Sequence, residues 1–224
     1  MLLTLMENDF KRVLQNFLVI APLAMGPLFM LTMPNELFGM YVLMGITVNG
    51  LGLSAVLIAE EKEKRTLNTL LLANVKITQI IASKVAVSIL FILVSSLIMY
   101  FMVSAYEYVY LYRFIIGVTL GSVASLILGL IIGVCTKSQM VASTIAGVAG
   151  MILTFSMDML HWSNLPDFLV EILARFYTFS LGRLALMPAN HYFGLWHDIL
   201  WSLVNIAIFF GVFLLIYKKR ARKI

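Results

Sequence analysis

The sequence predicts an all-α fold: a polytopic membrane protein with six transmembrane helices, an amphipathic N-terminal interfacial helix and both ends in the cytoplasm. Three observations predict it. Hydrophobic residues make up 62% of the 224 residues and charged residues only 12%, about half the share that covers a soluble surface. The apolar residues gather into six long runs, each near the roughly 17 to 25 residues that a helix needs to cross the hydrocarbon. Lysine and arginine cluster between alternate runs and after the last one. The whole chain, 1–224, reads as a single transmembrane domain.

The elements follow in chain order. In residues 1–16, Leu3, Met6, Phe10, Val13 and Leu14 recur at helical spacing with Glu7, Asp9, Lys11 and Arg12 between them. That pattern describes a helix lying along the inner membrane surface rather than a cleaved signal peptide. The six runs are 17–33, 37–59, 85–104, 114–135, 141–157 and 199–217, and none contains an acidic, basic or histidine residue. Pro22 and Pro27 bend the first. With the N-terminus inside, thirteen lysines and arginines face the cytoplasm and three (Arg113, Arg175 and Arg183) face outward. The positive-inside rule selects that orientation.

Small residues repeat every fourth position in the fourth run, at Gly117, Gly121, Ser125, Gly129 and Gly133. Spacing of four keeps them on one face, where another helix can approach closely. Ala142, Ala146 and Gly150 repeat the pattern in the fifth run, so the two are expected to pair as one tight hairpin through residues 136–140. Asn49 and Asn205 fall near the middles of the second and sixth runs. They read either as hydrogen-bonding glue between helices or as polar points on a translocation path. The outer segment 158–198 carries Pro166 at a helix start. Asp167, Glu171 and Arg175 lie on one face and Phe168, Leu169, Ile172, Leu173 and Phe176 on the other. It is expected at the outer interface, with Trp162, Tyr177, Tyr192 and Trp196 in the aromatic belt.

Residues 60–84 separate the second and third runs. Glu60 to Arg65 are six consecutive charges at a helix end. Holding even one at the bilayer centre costs about 2.5 to 3.5 kcal/mol, so the block is expected to reach water or a protein partner. Leu67, Leu70, Leu71 and Val75 form an apolar stripe beyond it, and Ile77, Ile80 and Ile81 another. A short helix parallel to the membrane, offering leucines and charges to a cytoplasmic partner, fits this pattern.

At these residues the chain resembles the type-2 family of ABC transporter permeases. The family reads E-R-E-x-G-T-L after its second span, then a leucine pair, a proline and a lysine entering the third span. Here Glu61-Lys62-Glu63-Lys64-Arg65-Thr66-Leu67 matches, followed by Leu70-Leu71 and Ser83-Lys84. Arg65 replaces the usual glycine, and Asn74-Val75 stands where a proline is usual. The resemblance implies that 60–84 is a coupling loop docking into an ABC ATPase subunit through Glu60, Glu61, Glu63, Arg65, Thr66, Leu67, Leu70 and Leu71. It further implies a partner permease (a second copy or a related chain) and export of an amphipathic or hydrophobic substrate across a bacterial plasma membrane. No G-x-x-x-x-G-K-[ST] phosphate loop occurs, so ATP and Mg are expected on the partner and no cofactor on this chain.

Other classes fit less well. Glu60 to Arg65 also matches EExxxR and Phe193 to His197 matches FxxxH, as in membrane proteases that resemble CAAX-processing enzymes. The further HxxxN or HxxxD motif is absent, and the two matches fall at opposite membrane faces. A membrane accessory or immunity protein that binds a partner without transport is the remaining alternative. Cys135, the single cysteine, permits no intrachain disulfide and reads as a small apolar residue at a span end. The basic residues 218–223 follow a span directly, which makes them an anchor to anionic lipid rather than a nucleic-acid site.

Overall fold

The computed structural model describes residues 2–15, 24, 27–28, 38–64, 77–102, 109–159, 166–186 and 194–221. The described residues form eight helices: α1 (Leu2–Gln15), α2 (Phe38–Glu63), α3 (Ile77–Met102), α4 (Leu111–Cys135), α5 (Gln139–Met159), α6 (Asp167–Ala174), α7 (Tyr177–Leu186) and α8 (Leu195–Ala221). Five of them, α2, α3, α4, α5 and α8, are long and apolar enough to cross a membrane. The run 17–33, expected as the first span, lies outside the described residues apart from Ala24, Pro27 and Leu28.

The spans are arranged around α2. Its most apolar stretch is 83% buried by the rest of the chain, against 17% for α8. It packs on α3, α4 and α5, while α4 also carries α7 and α8. Leucine, isoleucine and valine from α2, α3 and α4 (Val42, Ile46, Leu53, Leu57, Val87, Ile92 and Val118 among them) form the main core, with Leu181 of α7 and Val13 of α1. The outward faces of α3, α5 and α8 are apolar, as Leu90, Val94, Val148, Ile152, Ile208 and Leu215 illustrate.

The close approach of α4 to α2 depends on glycine. A Cβ at Gly129 would overlap Ser54 Oγ and the Leu51 carbonyl, and one at Gly133 would lie 2.7 Å from the Ala55 carbonyl. The Gly129–Gly133 part of the α4 stripe therefore faces α2 and not α5, contrary to the expected hairpin. Ala142 and Ala146 of α5 also bury against α2, at Leu51, Ala55 and Ala59. A Cβ on Gly150 would meet Val48 at 2.8 Å. Both small-residue faces are spent on the same central helix, so little remains for contact between α4 and α5.

The other half of the α4 stripe receives α7. Tyr177 Oη lies 3.0 Å from Ser125 Oγ, Leu181 fills the space beside Gly121, and Ala185 does so beside Gly117. Each step of four forward along α7 meets a step of four backward along α4, so the two helices run antiparallel. Ser125 lies roughly 21 Å along α4 from Leu111 at 1.5 Å per residue, more than halfway along its ~37 Å. The α6–α7 pair is thus re-entrant: it dips to mid-bundle and returns. Tyr177, expected in an interfacial aromatic belt, is instead 0% exposed. Trp196 is exposed, and Trp162 and Tyr192 lie outside the described residues.

Irregular backbone at that depth survives only where the protein satisfies it. Asn205 does this, donating from Nδ2 to the Arg175 carbonyl at the α6–α7 turn (2.9 Å) and to the Trp201 carbonyl (2.7 Å). Asn49 is buried within α2. Thr47 and Thr154 join α2 to α5 through their hydroxyls at 2.7 Å.

Candidate functional site

The charged block does not form a solvated tail. Glu, Lys and Ala favour helix, so α2 continues four residues beyond its apolar run, through Ile58, Ala59 and Glu60 to Glu63. Lys64 closes the last turn, its N–H donating to the Glu60 carbonyl at 2.9 Å and its Nζ meeting Glu60 Oε1 at 2.6 Å. At the other side of the loop, α3 begins at Ile77, eight residues before its apolar run. Ile80 is buried and Ile81 half-buried there. Ile80 and Ile81 therefore belong to the first turns of a span, not to a short surface helix.

These extensions bring charges together inside the protein. Lys84 is 0% exposed, and its ammonium lies 2.9 Å from Glu61 Oε1 and 3.3 Å from Asp9 Oδ1. Ser83 Oγ donates to the second Asp9 oxygen at 2.7 Å. Glu61 is itself only 2% exposed. One lysine thus joins the end of α2, the start of α3 and the middle of α1. Phe10 of α1 stacks on Phe91 of α3 at 5.1 Å beside it. The opposite face of α1 meets water, where the Lys11 ammonium holds the Glu7 carboxyl below its ordinary carboxylate range by hydrogen bonding and charge.

The next two residues turn to the α4–α5 connection. Thr136, extended at φ −89° and ψ 161°, ends α4, and Ser138 Oγ accepts from the Val141 N–H as a helix cap for α5. Lys62 Nζ donates to the carbonyls of Gly133 (3.2 Å), Val134 (2.9 Å) and Thr136. Glu63 Oε2 accepts from the Gln139 N–H at 2.9 Å. A cation sits at the negative end of α4 and an anion at the positive end of α5.

A second polar knot lies at the Leu111 end. Arg183 of α7 holds Asp198 of α8 in a fork, Nε at 3.0 Å from each carboxylate oxygen and a terminal nitrogen 2.6 Å from Oδ1. It also donates to the Ala174 carbonyl, and Arg113 of α4 donates to the Arg183 carbonyl at 3.3 Å. Beside Asp198, His197 accepts from Trp201 Nε1 at 3.0 Å. The length of α4, ~37 Å, separates this knot from Glu60 and Glu61. The paired glutamates and His197 therefore cannot act on one water.

The expected coupling residues divide. Glu60 and Glu61 are buried and Glu63 is exposed, whereas Arg65, Thr66, Leu67, Leu70 and Leu71 lie outside the described residues. Gly117 and Gly121 face α7, Gly129 and Gly133 face α2, and Ser125 meets both, at Tyr177 of α7 and Gly50 of α2. Reading the sequence alone missed Asp9 as a member of the cluster. Its signal was register: Met6, Asp9 and Val13 share the core-facing side of α1, so that carboxylate requires a buried partner.

A family model described as ABC-2 family transporter protein matches residues 13–217, nearly the whole chain. No curated protein matches it.

Proposed function

The chain belongs to the ABC-2 transporter family, and from that premise we propose that it is the permease of an ATP-driven exporter whose ATPase is a separate subunit docked on the loop between α2 and α3. Membership makes it a multi-pass membrane transport subunit. The finer reading places both termini in the cytoplasm, where thirteen of its sixteen lysines and arginines then lie. ATP and Mg are bound by the ATPase, and two permeases (identical or related) enclose the path. The substrate is amphipathic or hydrophobic, in keeping with the apolar runs that form the walls.

The observation that carries the coupling is the bond between Glu61 and Lys84 at 2.9 Å. It ties the last turn of α2 to the second turn of α3, the two helices that flank the loop. A partner pressing on the loop acts on α2, α3 and, through Asp9, α1 together. Leu67, Leu70 and Leu71 supply the apolar anchors of that contact. Arg65 belongs to its polar rim, while Glu60, Glu61 and Glu63 support it from within.

The test is a pull-down with an ABC ATPase subunit, and permease-stimulated ATP hydrolysis. Leu70→Ala combined with Leu71→Ala should weaken ATPase binding at least about 30-fold while membrane insertion persists, because a few buried side chains dominate such interfaces. Wild-type binding and stimulation by the double variant would show that the ATPase docks elsewhere.

A further inference from the structure

Lys62 and Glu63 are spent inside the chain, and their bonds assign them a task. The Lys62 ammonium has three N–H donors, and it meets three carbonyls, of Gly133, Val134 and Thr136. Glu63 takes the first N–H of α5, at Gln139. Neighbours of opposite charge thus grip the two ends of one turn, each at the helix end whose partial charge it complements. One residue earlier, Glu61 grips Lys84. A helix turns by about 100° per residue. Residues 61, 62 and 63 therefore fan out around α2 and hold α3, α4 and α5 separately.

We propose that Lys62 and Glu63 are positioning residues that carry displacement of the α2–α3 loop into the α4–α5 turn. The proposal rests on the reading that an ATPase acts on that loop. Along the bundle, α2 meets α4 and α5 largely through the small residues Gly129, Gly133, Ala142, Ala146 and Gly150, with neutral hydroxyl bonds from Thr47 to Thr154 and from Ser54 to the Leu126 carbonyl. Charged side chains reach across from α2 to the turn at the end nearest the loop. Rotating the last turn of α2 moves an ammonium and a carboxylate that are bonded to the two helix ends flanking the turn. The turn follows.

The experiment is hydrogen exchange by mass spectrometry on the permease–ATPase complex in lipid nanodiscs, with and without a non-hydrolysable ATP analogue. Without nucleotide, Lys62→Met should speed exchange of amides 136–142 by about tenfold, the effect of losing a partly buried helix-end charge. Lys62→Arg and Glu63→Gln, which keep a donor or an acceptor, should restore protection that Lys62→Met and Glu63→Ala lose. With nucleotide, the wild type should change exchange at both 77–84 and 136–142. Lys62→Met with Glu63→Ala should keep the first response and lose the second, and transport per ATP hydrolysed should fall about tenfold. A nucleotide response at 136–142 that survives in this double variant overturns the link. If wild-type chain binds no ATPase, it is the proposed function that fails, and the nucleotide-free comparison then decides the grip itself. Unchanged exchange in Lys62→Met overturns that grip, and faster exchange upholds it.

Discussion

Replacing Lys84 by methionine tests the buried cluster most directly. The variant keeps the length of the side chain and removes its charge. In the wild type the ammonium faces Glu61 at 2.9 Å and Asp9 at 3.3 Å. At an effective dielectric constant near 20 those attractions are about 6 and 5 kcal/mol, most of which offsets the desolvation of three ions. The net worth of the intact cluster is therefore small. Its disruption is costly all the same, because methionine takes the shared ammonium from two carboxylates that are under a tenth exposed. Removing one partner of a buried ion pair costs about 3 to 5 kcal/mol, and Lys84→Met should fall in that range. Adding Asp9→Asn and Glu61→Gln should recover most of the loss, since the buried carboxylate charges disappear with the lysine. The assay is unfolding in mixed detergent micelles, followed by tryptophan fluorescence. A single variant within about 0.5 kcal/mol of wild type, or a triple variant no better than the single, would refute the cluster as a buried ionic centre.

Two further substitutions probe the packing. Gly129→Ala forces a methyl into Ser54 and the Leu51 carbonyl and should destabilise by about 1 to 3 kcal/mol. Gly147→Ala, where nothing lies within 4 Å, should be neutral or stabilise by about 0.5 to 1 kcal/mol, and equal thermal shifts for the two would contradict the α2–α4 contact. At the opposite knot, Asp198→Ala removes a buried carboxylate from Arg183 and should cost about 2 kcal/mol. Amides of the re-entrant α6–α7 pair should then exchange before those of α2, and uniform exchange across the chain would argue against Asp198 as the anchor of that pair.

Much of this was legible in the order of residues. Apolar runs near 20 residues long specify membrane helices whatever their neighbours, because backbone groups in hydrocarbon must bond within the segment. The charged block and leucines after α2 led to the family that the chain-wide match establishes. Glycine spacing in α4 marked a face of close approach. It did not say what approaches, because every small face can accept any smooth helix. Gly117 and Gly121 went to α7, Gly129 and Gly133 to α2, and Ser125 lies between the two.

The sequence by itself determined which segments are helices, which faces are apolar and where charge collects. Only the tertiary structure decided the partners of those charges. Lys62 bonds residues more than 70 positions away, and Lys84 joins Asp9 to Glu61 across the whole N-terminal third of the chain. Local spacing carries no record of such pairs. A buried charge is stable only where another element brings its complement to within bonding distance, and that meeting is set by how the helices pack.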